Sequence, residues 1–426
     1  MPLPSTLPVP RLKPGIGITR YQDSAVSPSP RFLLALEDSY FLVSGKTRAL
    51  VVALLYQPAD SAQLANYFEA ESGHRVPAEQ LIELAQSLHP ALFAGAPAAT
   101  RELPFLFSLT LLPARAATRV TGFLTWLFAP RLAIALMLAF AVLHIAVLPA
   151  AMRTAHGAWT AGQSAEMLAL FMLSGLIHEL GHTSACRYFK CRHGAIGVGL
   201  YFIFPAWYAD VTAAWMLPAK QRAVVDLGGV YFQSIFLIAV DAFALLTGDP
   251  MALKLVWLIT FTMLFTLNPV FKFDGYWLLS DLSGLHNLHK QVRQSTASMI
   301  AMLMRKRALA GPSVRSSVLC AYSVLSIGYF VYFGLFLARE LGLLATTLLP
   351  KLSAAAQALR PVSIDHVWQL VVAAGAFCAL LFWPIMILLG SFFFLDKLRR
   401  ALSEIVASVQ TARATVACAT PSLEKI

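Results

Sequence analysis

Charge is what this chain has least of. Only 13% of its 426 residues are Asp, Glu, Lys or Arg, against 58% hydrophobic, and the mean hydropathy is +0.66. That balance excludes an ordinary soluble globular protein, whose charged share is about 25%; the surplus apolar surface has to face lipid. The 5 cysteines give no disulfide framework, and Cys186 and Cys191 read as free thiols facing a reducing compartment. A Gly-rich phosphate loop, a dinucleotide fingerprint and an internal repeat are all missing, which removes nucleotide-driven and solenoid architectures. Acidic residues number 22 against 33 Lys and Arg, for a net charge of +11. The position of those bases, described next, argues for orientation in a bilayer and contact with anionic lipid, not for nucleic acid.

A helix needs about 20 apolar residues to cross a bilayer. Six stretches qualify, at 132–150, 165–185, 223–247, 251–270, 318–338 and 367–394. Segments 105–128 and 194–209 are apolar but broken by Pro, Gly or charge, and read as interfacial or re-entrant. Arg115, Arg119 and Arg131 precede the first span, and Arg187, Lys190, Arg192, Lys220 and Arg222 separate the second and third. Further bases follow the fourth and sixth spans, while the opposite loops carry few. The positive-inside rule then places both termini in the cytoplasm. With no signal-peptide core near the start, the first span is expected to direct insertion into the cell (inner) membrane.

Inside the second span stands His178-Glu179-Leu180-Gly181-His182. Residues i and i+4 share a helix face, so the two imidazoles can offer nitrogens to one metal while Glu179 leans toward a metal-bound water. Zinc lowers the pKa of such a water to about 7, and a carboxylate can take its proton. The bland alternative is a pair of buried histidines on a packing helix. A catalytic zinc needs a third protein ligand, and Asp274 in Asn268-Pro269-Val270-Phe271-Lys272-Phe273-Asp274-Gly275 is the candidate. Asn268-Pro269 would end the fourth span, and Gly275 would let the backbone approach closely; the alternative is a simple Asp-Gly turn. Cys186, four residues past His182, is a rival soft ligand. Topology supports the pairing: at 1.5 Å per residue His178 lies about 10 Å below the cytoplasmic face, and the fourth span delivers Asp274 to the same side.

These residues resemble the site-2 protease class of intramembrane zinc metalloproteases. The closer likeness is to a bacterial branch labelled peptide zinc metalloproteases, carried by Pro205-Ala-Trp-Tyr-Ala-Asp210-Val and by Asn268 through Asp281, over roughly 165–290. The resemblance implies His178, His182 and Asp274 as ligands of one Zn2+ and Glu179 as general base. Where many members have Gly-Pro…Asn on the intervening helix, this chain has Gly228-Gly229-Val-Tyr-Phe-Gln233, which leaves Gln233 open as a substrate or oxyanion contact. No PDZ-like insertion is visible.

Ionisable groups at membrane depth usually face a site or a cavity. Asp226 falls level with the proposed zinc, as a support for a histidine, a substrate contact or an interfacial anion, and Asp210 has the same options. Asn268 joins them as a neighbour of the ligand loop. Asp241 and His144 fall toward the outer half, too far to ligate, and suit interhelical hydrogen bonds.

Residues 1–30, rich in Pro and Ser, read as a disordered lead-in. Residues 31–100 read as a small cytoplasmic α+β domain of winged-helix type: strands at 32–36 and 40–43, a helix at 46–56, a second at 62–69 capped by Asp60-Ser61, and a third from Pro77 to Leu88. This order resembles the peptide chaperone of pyrroloquinoline-quinone biosynthesis, which implies leader-peptide recognition; a docking domain without peptide binding is the alternative. Residues 101–131 would link it to a membrane metalloprotease domain at 132–395, and 396–426 would form a cytoplasmic amphipathic tail. The expectation is an all-α polytopic membrane protein with about six spans, a site-2 protease-like core and a winged-helix-like N-terminal domain. It would cut a membrane-associated protein or peptide near the cytoplasmic leaflet, in peptide maturation or export. The rival is a non-hydrolytic component of an export assembly, with an export-complex partner; a third reading, metal-ion transport, would need ionisable residues in both leaflets.

Overall fold

The computed structural model describes residues 9–21, 30–37, 39–95, 107–154, 161–201, 204–284, 288, 314–359, 384–385, 387–396, 398–400 and 403. Residues 1–157 with 167–285 form one compact unit, and 158–166 with 286–426 a second. The candidate site lies in the first.

The N-terminal part of the first unit is a three-stranded antiparallel sheet carrying three helices. Its strands are β1 (Gly17–Tyr21), β2 (Arg31–Leu36) and β3 (Ser39–Ser44), in that order, with Thr19 opposite Leu33 and Leu33 opposite Leu42. β1 corrects the expected lead-in at 1–30. Five residues in Pro- and Ser-rich surroundings carry too little periodicity to register alone. β1 is held by pairing with β2 and by Ile18 packing with Leu34, Leu36 and Leu92. Three helices follow: α1 (Gly45–Leu55), capped by the Ser44 hydroxyl; α2 (Ser61–Ser72), capped by Asp60 accepting from the Gln63 N–H at 2.8 Å and closed by Gly73 at φ 69°; and α3 (Ala78–Gln86), which starts after Pro77. Their apolar faces meet in a core of Leu50, Leu54, Leu64, Phe68, Leu81 and Ile82.

The rest of the unit comprises β4 (Phe107–Leu112), α4 (Ala114–Leu124), α5 (Pro130–Thr154), α6 (Ala161–Tyr188), β5 (Ile196–Tyr201), β6 (Phe204–Ala209), a 3-10 turn (Thr212–Met216), α7 (Ala219–Thr247), α8 (Pro250–Thr266) and α9 (Asp274–Ser283). α5, α7 and α8 pack on one another around Val147, Leu237, Leu255, Val256 and Ile259. Parts of the two segments expected to be interfacial or re-entrant pair with each other in a second antiparallel sheet, β4-β5-β6, in which Val198 pairs with both Leu109 and Trp207. Pairing satisfies backbone groups that an isolated extended segment would leave open in a low-dielectric setting.

Among the described residues, three helices are long and apolar enough to cross a membrane: α5, α7 and, in the second unit, residues 317–350 of α10 (Val314–Leu359). α6 is 28 residues long, but His178, Glu179 and His182 interrupt its apolar run. α8 has 17 residues, about 26 Å at 1.5 Å per residue against a core of about 30 Å. Most of the sixth expected span, 367–394, and of the expected tail at 396–426 lies outside the described residues.

Candidate metal centre

Two glycine contacts set the geometry. A Cβ on Gly181 of α6 would collide with the backbone carbonyl of Gly228 on α7, and one on Gly228 would lie 2.7 Å from the Gly181 oxygen. α6 and α7 therefore touch backbone to backbone. One residue on, a Cβ at Gly229 would strike the rings of His178 and His182. The Gly228-Gly229 pair, whose role the sequence left open, thus makes room for both imidazoles.

α7 then supplies a partner to each ring. His178 Nδ1 lies 3.0 Å from the Gln233 side-chain oxygen, and Gln233 Nε2 donates onward to Ser174 Oγ at 3.1 Å. His182 Nδ1 lies 2.7 Å from the Val225 carbonyl. An oxygen acceptor at each Nδ1 fixes the proton there and leaves each Nε2 with a lone pair. Those two Nε2 atoms are 3.0 Å apart.

The third group arrives from the break between α8 and α9. α8 stops at Leu267; Asn268 Oδ1 accepts from the Val270 N–H at 2.9 Å, closing a local turn, and α9 starts at Asp274. Gly275 is needed for the approach, because a Cβ there would overlap the Leu267 carbonyl. Asp274 Oδ2 lies 3.0 Å from His178 Nε2, and Oδ1 lies 3.6 Å from His182 Nε2. His178, His182 and Asp274 are the set of metal-capable side chains found together among the described residues. Two lone pairs and a carboxylate aimed at one point repel unless a cation lies between them. Their spacing is near the roughly 3.3 Å edge of a tetrahedron with 2.0–2.1 Å metal–ligand bonds. Two imidazoles and a carboxylate suit zinc and leave a coordination position open.

Glu179 is close enough to interact electrostatically with all three groups. β6 is pressed onto the same helix: a Cβ at Gly175 would meet the Trp207 indole. The second sheet therefore packs on the turn of α6 that precedes Glu179, a contact for which no sequence motif gives a signal.

The remaining candidates separate. Gln233 adjoins His178. Asp210 accepts from Thr212 N–H and Oγ1 at 3.2 and 2.6 Å and closes the turn after β6. Asn268 serves the turn already described, and Asp226 lines a cleft beside the centre. Cys186 is a buried free thiol that stands outside the metal-capable set. His144 and Asp241 pair with each other at 3.0 Å, apart from the metal set.

Over 111 residues the chain is 26% identical to the protein named "Putative peptide zinc metalloprotease protein YydH" of Bacillus subtilis (strain 168), a stretch amounting to 26% of this chain and 44% of that protein. The chain thus spans less than half the length of this curated relative. The likeness relates it to a zinc metalloprotease by name. No family model matches the chain, and no solved structure matches it.

Proposed function

We propose that this chain is an intramembrane zinc metalloendopeptidase of site-2 protease type, hydrolysing a peptide bond of a membrane-associated protein or peptide near the cytoplasmic leaflet, in peptide maturation or export. The observation that carries this reading is the convergence of His178 Nε2, His182 Nε2 and the Asp274 carboxylate, with both Nδ1 atoms engaged by oxygen acceptors. Zinc, when bound there, lowers the pKa of a water and polarises the scissile carbonyl. Glu179 takes a proton from the attacking water and returns it to the leaving amine, acting as base and then acid. Gln233 and Val225 hold the rings in the ligating tautomer. Substrate must be locally unwound, since a helical backbone hides its carbonyls in internal hydrogen bonds. Multi-pass insertion with both termini cytoplasmic brings the site to the inner leaflet. The N-terminal domain, whose Tyr21 ring stacks under the Arg222 guanidinium at 4.4 Å, lies on that same side.

The test is metal content of the full chain in detergent, with wild type beside His178→Ala, Asp274→Ala and Glu179→Gln. About one zinc per chain is expected in wild type and in Glu179→Gln, and substoichiometric zinc in both ligand variants. Zinc unaffected by Asp274→Ala would break the site. A zinc-loaded wild type whose hydrolysis of a peptide panel matches that of Glu179→Gln would transfer the chain to the non-hydrolytic export reading.

A further inference from the structure

Beside the metal centre, between the 3-10 turn after β6 and the helices α7 and α9, lies a cleft of about 220 Å³ lined by Trp215, Trp277, Arg222, Val225, Asp226 and Asp281 among others. Its walls are aromatic: the indoles of Trp215 and Trp277 stand edge to face, 5.9 Å between centroids. Its one cation is already engaged. Arg222 Nε lies 2.9 Å from Asp281 Oδ1, Nη1 donates to the Leu217 carbonyl at 2.7 Å, and the guanidinium lies over the Tyr21 ring. Asp226 is different: its Oδ2 is shielded from solvent and has no hydrogen-bond partner. Arg222 is paired with Asp281, which leaves Asp226 with no ion pair of its own among the described residues. A carboxyl at this depth ionises at low cost only where a cation meets it. A carboxylate in a cleft walled by indoles suits an organic cation; indoles offer a metal ion no ligand.

The cleft also adjoins the metal ligands: Trp277 lies three residues after Asp274 on α9. Val225 lines it while its carbonyl holds His182 Nδ1, and Asp226 is the next residue. A group seated here would be attached to a chain passing the metal centre. We propose that the cleft is a subsite for a cationic side chain, a lysine or arginine of the peptide flanking the bond to be cut, met by Asp226 against the walls that Trp215 and Trp277 form. The proposal deepens the peptidase reading and rests on it, but the cleft's preference for a cation can be measured without zinc or hydrolysis.

The probe is butylammonium, a lysine side chain without its backbone, with neutral 1-pentanol as its near-isostere. The full chain carries fluorotryptophan, with the Trp215 and Trp277 resonances assigned through Trp→Phe variants, and is titrated both zinc-loaded and chelator-treated. Both resonances are expected to shift saturably with butylammonium in either metal state. Pentanol should bind roughly tenfold more weakly, as should butylammonium to Asp226→Asn, while Asp226→Glu keeps the preference. Equal response to pentanol, no saturable shift, or unchanged binding in Asp226→Asn overturns the subsite. If the subsite fails in a protein that keeps its zinc, the peptidase reading stands. Amine binding in a chain that takes up no zinc upholds the cation cleft and removes the peptidase reading alone.

Discussion

Gly181 and Gly228 face each other where α6 crosses α7, and neither can carry a Cβ without meeting the other's backbone. Because the obstructing atoms are main chain, no side-chain rotation relieves the overlap, and the helices must separate. Separation moves Gln233 and the Val225 carbonyl away from the two imidazoles. Gly181→Ala or Gly228→Ala is therefore expected to destabilise the chain by about 1–3 kcal/mol, the usual cost of overpacking, and to lower zinc occupancy as well. Gly122→Ala in α4 is the control, since nothing lies within 4 Å of a Cβ there; it should keep its zinc and melt at or slightly above the wild-type temperature. Thermal unfolding and zinc content in the same detergent decide the matter. Full zinc occupancy in both interface variants would show that the close contact does not position the ligands.

Gln233 offers a cleaner separation of metal binding from folding. It is buried, its oxygen meets His178 Nδ1 and its amide nitrogen meets Ser174. Replacement by Leu preserves most of the volume but removes the acceptor, so the His178 ring is free to take the other tautomer or to rotate. Loss of such a support typically weakens a metal site by about 10–100-fold. Gln233→Glu keeps an acceptor and makes the imidazole more electron-rich, so zinc affinity should be retained. Competition against a chromophoric chelator reads both outcomes. Wild-type affinity in Gln233→Leu would remove the supporting role from this residue.

Legibility in the sequence followed the range of the interactions. The two histidines are readable because helical periodicity alone puts residues i and i+4 on one face, and Asp274 because Asn268-Pro269 and Gly275 mark a break and a close approach within eight residues. The helices α1 to α3 announced themselves through Asp60, Pro77 and their apolar spacing. What escaped depends on partners far along the chain. β1 exists because β2 lies beside it, and β4 because it meets β5 at Leu109 and Val198. Val225 acts through its backbone carbonyl, which no side-chain pattern records. The engagement of Arg222 by Asp281 and Tyr21 joins three separate segments of chain. Gly228-Gly229 looked like a departure from a family pattern, and only the helix crossing shows what small residues do there.

His144 and Asp241 illustrate a polar pair whose place in the sequence was expected and whose energetics can be tested. His144 Nδ1 lies 3.0 Å from Asp241 Oδ2, and Thr260 Oγ1 lies 3.2 Å from His144 Nε2, so α5, α7 and α8 are joined through one ring. Asp241 is fully buried, and its Oδ1 has no hydrogen-bond partner. Removing the histidine strands the remaining oxygen in an apolar core. His144→Leu should therefore cost about 3–5 kcal/mol, the usual penalty for breaking a buried pair by deleting one partner. In the double variant His144→Leu with Asp241→Leu nothing polar is left unsatisfied, and most of that loss should be recovered. The two changes are in direct contact, so they are expected to be strongly non-additive. Since neither group belongs to the metal set, zinc per folded chain should match wild type in His144→Leu, in Asp241→Leu and in the double variant. Equal or additive destabilisation across the series would mean that the pair contributes little and that helix packing around Val256 and Ile259 alone holds this region together.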